Sequence, residues 1–155
     1  MPNRTQLAMA LLLIMLMLSW FGYQMWMPNN SAQVFRSPFD PACDLRAGPC
    51  ETNLTQGAKV RFAIQPETIP VTEPLQLLVD IDGLEVDRVT VELNGVDMNM
   101  PQNKIVLEQT GRGRFRGKGS LSFCTRNAME WEALVELAAG EKQFIVGYRF
   151  ITLAN

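Results

Sequence analysis

Met98 and Met100 stand two residues apart in Met98-Asn99-Met100-Pro101, so on an extended segment both thioethers point the same way. Cys124 and Met129 follow further along the chain. Thioether and thiolate are soft donors that suit Cu(I), whereas a site without imidazole fits poorly with Cu(II) or ordinary zinc. Methionine is also a common filler of core gaps, and Met129 directly precedes Glu130-Trp131, where packing alone accounts for it. The chain contains no histidine. This removes Ser-His-Asp and Cys-His catalysis, His-ligated zinc, haem attachment through C-x-x-C-H and histidine pH switching. No activated nucleophile or acid–base pair stands out, and the chain is not expected to be an enzyme.

The other two cysteines, Cys43 and Cys50, enclose a six-residue loop that Gly48-Pro49 can turn. In an oxidising compartment such a pair crosslinks easily and contributes about 2 kcal/mol through loop-closure entropy. Cys124 is then left as a free thiol. A competing pairing ties Cys43 or Cys50 to Cys124 and leaves a different odd cysteine, so only the first arrangement keeps Cys124 as a thiolate for a metal. The spacing is not C-x-x-C, so a thioredoxin-type role is not expected.

Two further patterns have plainer explanations. Arg112, Arg114, Arg116 and Lys118 alternate with Gly113, Phe115, Gly117 and Gly119, which puts the charges on one face of a strand. The exposed face lacks the interleaved aromatics of a nucleic-acid site, and cross-strand pairing with acids such as Glu132 and Glu136 is expected instead. The overall charge of −2 likewise gives no electrostatic case for nucleic acid. Asp80 to Asp87 matches a calcium loop only loosely, and a strand ending in the Asp82-Gly83 turn accounts for it.

The elements that must position these residues begin with an apolar run over residues 7–27, long enough to cross a bilayer as a helix. Arg4 before it predicts a cytoplasmic N-terminus at residues 1–6, and Trp20, Tyr23 and Trp26 crowd the far end as interfacial aromatics do. The residues that follow are too bulky for signal-peptide cleavage, so an uncleaved anchor is expected. Residues 28–56, rich in Pro, Asn and Gly and carrying Cys43 and Cys50, read as a tether. From residue 57 to 155, period-two alternation predicts seven short strands, as in Val60/Phe62/Ile64, Leu75/Leu77/Val79/Ile81 and Phe144/Val146/Tyr148/Phe150. The expected fold is all-β: a seven-stranded immunoglobulin-like antiparallel sandwich behind a single N-terminal transmembrane helix. With seven strands, parity puts the connections around residues 66–74, 95–104 and 124–129 at one end of the sandwich. The tether is expected at the other.

The order Met98-x-Met100-Pro101, Gly113-Arg-Phe115-Arg-Gly117 and the Trp131 strand resembles the FixH-like and YtkA-like small membrane-anchored bacterial proteins. The resemblance spans roughly residues 66–137 and departs in the missing histidines and the three cysteines. It implies a bacterial inner-membrane protein whose domain faces the periplasm. It further implies copper handling and an accessory role in cytochrome oxidase biogenesis, with a respiratory-complex or copper-chaperone partner. The candidate Cu(I) ligands Met98, Met100, Cys124 and Met129 rest on their soft donors and shared end, not on the resemblance. The alternative is an interaction module without metal that docks on an inner-membrane complex.

Overall fold

A computed structural model describes residues 3–26, 33–96, 103–122 and 128–153 of the chain. It divides into two compact units, Met1–Ser31 and Ala32–Asn155. The first unit holds helix α1, Arg4–Trp26, whose 23 residues are almost all apolar and show no polar face. At about 1.5 Å per residue such a helix is about 34 Å long, enough to cross a bilayer.

The second unit is a sheet of nine strands: β1 Gln33–Ser37, β2 Cys50–Asn53, β3 Lys59–Gln65, β4 Leu75–Asp82, β5 Arg88–Gly95, β6 Asn103–Gly111, β7 Arg114–Gly119, β8 Ala128–Ala139 and β9 Lys142–Leu153. Their order is β1-β9-β8-β5-β6-β7-β4-β3-β2. All neighbours are antiparallel except β1 and β9, which run parallel with Phe35 opposite Phe144. The first half of β6 pairs with β5 and its last residues pair with β7, with an irregularity between Gln109 and Gly111. One strand therefore carries the sheet round from one layer into the other, as bulges and bends do at sandwich corners.

Seven of these strands are those expected from alternation. The number is nine because the stretch read as a tether supplies two more, and the domain begins at Ala32 rather than residue 57. Neither added strand alternates in sequence: β1 is Gln-Val-Phe-Arg-Ser and β2 is Cys-Glu-Thr-Asn. Both are edge strands, held by one neighbour each. β7 ends at Gly119, and Leu121 is buried in the coil beyond it.

The inward residues of both layers form one core. Val60, Phe62 and Ile64 of β3, Leu77 and Val79 of β4, and Trp131, Val135 and Leu137 of β8 are all buried. Each such side chain contributes about 1.5–3 kcal/mol by leaving water. Trp131 satisfies its indole by donating to Thr152 Oγ1 at 2.9 Å, one of the few polar groups inside. Phe115 is the inward residue of β7, and its glycine neighbours have a packing reason. Leu107 and Ile105 of β6 lie so close over Gly117 and Gly119 that a Cβ would crowd them. Gly113, at φ 67°, sits where a Cβ would collide with the Ile81 carbonyl, whose own amide donates to Gly113 O at 2.7 Å.

The two layers meet along a seam between β9 and β2. There the Phe62 and Tyr148 rings lie 5.3 Å apart, and Thr52 Oγ1 donates to the Tyr148 hydroxyl at 3.2 Å. Residues 38–49 run over the seam and insert Leu45, 1% exposed, into the core. Cys43, inside this segment, and Cys50, just past its end, have Cα atoms 5.8 Å apart and sulfurs at disulfide distance.

Burial holds the Tyr148 phenol above its ordinary value, with the Thr52 hydrogen bond pulling weakly the other way. A pKa raised on folding adds stability below the unfolded value of about 10 that is lost as pH rises through the folded value. Denaturant unfolding from pH 8 to 11 should show that alkaline loss, and Tyr148→Phe should reduce its slope; an unchanged slope would contradict the burial of this hydroxyl. Gly113→Ala should lower stability by more than the roughly 1 kcal/mol of an ordinary glycine effect, measured by thermal unfolding.

Candidate functional site

The residues flanking Met98, Met100 and Cys124 come together at one end of the sandwich. Gly95, the last residue of β5, lies opposite Trp131 near the start of β8, and the Val96 amide donates to Glu130 O at 2.9 Å. Asn103, opening β6, donates through Nδ2 to Ser120 O at 2.7 Å. The Thr72 amide donates to Leu121 O at 3.1 Å. The strand ends that launch connections 66–74, 96–102 and 120–127 are thus grouped as parity expects. Met98, Met100 and Cys124 themselves lie outside the described residues. Met129 is described: it is 2% exposed, on the inward face of β8 opposite Thr152, and packs in the core. Among the described residues no three His, Cys, Asp or Glu side chains are placed to hold a metal ion.

The chain enters the domain at the other end, where the Gln33 amide donates to Glu141 O at 2.9 Å in the β8–β9 turn. Residues 38–49 do not stay there. The chain follows β9, so that Phe39, Cys43 and Arg46 share a cavity of about 320 Å³ with Glu130, Arg149 and Ile151. Cys43 is therefore near the end that carries the loops, not remote from it. The expected separation between a tether and that end does not hold for Cys43. What keeps the local pair with Cys50 is the tight approach of the two backbones.

The basic stripe is a solvated face, with different partners from those expected. Arg116 reaches Asp80 at 2.7 Å and the Val79 carbonyl at 3.1 Å, both on β4. Glu136 instead receives Lys104 of β6 at 2.8 Å, a bond that raises the ammonium pKa, and Glu132 faces Arg149 of β9 at 3.7 Å. The reason is layering: β7 lies beside β4, whereas β8 belongs to the other layer. Such exposed pairs contribute roughly 0–1 kcal/mol each and define no site. Asp82 closes β4 opposite Lys59, and Asp87 Oδ2 accepts the Gly140 amide of the β8–β9 turn at 2.8 Å.

One feature of this end was not read from sequence. Phe39 (39%), Val96 (39%), Ile151 (50%) and Leu153 (57%) are large apolar residues left in water near the loop-bearing strand ends. The available signal is Phe150-Ile151-Thr152-Leu153, where alternation fails and apolar side chains occupy both faces of β9. Comparison with family models, curated proteins and solved structures gives no match.

Met129→Leu, which conserves volume, should change stability by less than about 1.5 kcal/mol, and Met129→Ala should cost about 2–5 kcal/mol. Chemical denaturation checks both, and a harmless Met129→Ala would mean that the side chain is not a packing residue.

Proposed function

We propose that this is a membrane-anchored, extracytoplasmic accessory protein of a bacterial inner membrane that aids cytochrome oxidase biogenesis by holding Cu(I). The metal would be held through Met98, Met100 and Cys124, while Met129 packs in the core. The observation that carries the reading is the convergence of strand ends: Val96 on Glu130 and Asn103 on Ser120 bring the flanks of the two ligand-bearing connections together. Cys43 and Cys50 at disulfide distance support it, because their pairing leaves the third cysteine to the metal. The layer orders β9-β8-β5 and β6-β7-β4-β3 support an immunoglobulin-like sandwich, in which G-F-C faces D-E-B-A. Arg4 ahead of an apolar helix supports a cytoplasmic N-terminus and a periplasmic domain.

The exposed Phe39, Val96, Ile151 and Leu153 favour a second reading, in which the same end docks on a membrane complex without metal. A Cu(I) competition titration of the full chain in detergent micelles separates the two. Under the copper reading, Met98→Leu/Met100→Leu weakens binding by about tenfold or more, equal to about 1.4 kcal/mol. Equal affinity of the double variant and the parent removes the metal from the proposal. Retention of every co-purifying partner by that variant, together with its loss in Ile151→Glu/Leu153→Glu, selects the docking reading.

A further inference from the structure

Residues 38–49 cover the seam of the sandwich while making almost no bonds to it. Their hydrogen bonds are local: Asp40 Oδ1 accepts the Ala42 amide at 2.9 Å, and Asp44 Oδ1 accepts the Arg46 amide at 2.9 Å. Among the described residues the one hydrogen bond from the segment to a strand it crosses is Arg46 Nη1 to Ile151 O, long at 3.5 Å. Phe39 adds a cation–π contact with Arg149 at 5.3 Å. An open groove of about 320 Å³, lined by Phe39, Pro41 and Arg46 on one side and Arg149 and Ile151 on the other, runs between the segment and β9. Two things hold it down, the Leu45 side chain in the core and the link from Cys43 to Cys50 at the start of β2.

What it covers is a strand edge. β1 pairs with β9 only as far as Ser37 opposite Val146, because Pro38 has no amide to continue the ladder. Among the described residues no strand pairs with that edge of β9 from Gly147 to Leu153. A segment with few bonds to its seat opens at low free energy unless a covalent tie prevents it.

We propose that the Cys43–Cys50 disulfide is the latch of a redox-released strap, and that its reduction by a dithiol lifts residues 38–49 and uncovers the β9 edge. Cys43 is partly exposed and Cys50 is 2% exposed, so the attack falls on Cys43 Sγ. A thiolate of the dithiol bonds to Cys43 Sγ and the S–S bond breaks, leaving Cys50 to take a proton. The second thiol of the reductant then displaces Cys43. Two protein thiols and one oxidised dithiol result.

The test is amide hydrogen exchange of the full chain in detergent micelles, before and after dithiothreitol, and of Cys43→Ser/Cys50→Ser without reductant. Exchange over residues 38–49 and 147–153 should rise about tenfold or more, equal to about 1.4 kcal/mol of local opening, with residues 75–82 unchanged. Trypsin should cut faster after Arg46 in the same samples. A rise spread over the whole domain makes the bond a general staple and overturns the proposal, as does no rise. Leu45→Ala with the disulfide intact should leave 147–153 slow; opening equal to that on reduction would make Leu45 the latch and defeat the assignment.

Discussion

A single hydrogen-bonded sheet that buries one face against itself must bring its two ends together, and everything in this domain follows from how that is done. The bend falls in β6, whose two halves serve different layers. The closure falls between β9 and β2, where no backbone ladder forms and side chains take over: Tyr148 against Phe62, Thr52 on the phenol, and Leu45 let in from outside. Burying apolar residues sets the need for closure, and the small number of polar groups available at the seam sets its means. The glycines of β7 belong to the same solution, since only backbone without a Cβ lets Leu107 and Ile105 lie close over it at the bend.

The strands that alternate were legible from sequence because each pairs on both sides and shows water only one face. The two that did not alternate are held differently. In β1, Phe35 stacks on Phe144 at 5.2 Å while Val34 stays half exposed, so only one residue of five marks an inward face. In β2, Cys50 is the buried residue and Glu51 faces out to pair with Arg61. Proline, asparagine and glycine around them gave a stronger local signal for loop than so short an apolar pattern could give for strand. Parity survived this because the added strands lie before β3 and leave the later alternation of ends untouched. It did not fix where Cys43 lies, since a segment crossing a seam obeys no strand count.

For the site, sequence and structure contribute different things. Residue softness at Met98, Met100 and Cys124 came from composition, and the grouping of their flanking strand ends came from topology. Met129 could be read either way from sequence, as donor or as filler, and the structure buries it on the inward face of β8 opposite Thr152. The exposed Ile151 and Leu153 escaped because an apolar run on both faces of a final strand reads simply as a strand. Their meaning depends on knowing which face is already covered.

The parallel pairing of β1 with β9 has a consequence of scale. Gln33 enters beside Lys142, and β9 then runs to Leu153 before the end that bears the loops is reached. At about 3.3 Å per residue that is a rigid span of about 36 Å. The strand ends that the domain displays therefore lie a full length of β9 away from the point where Gln33 joins the sheet.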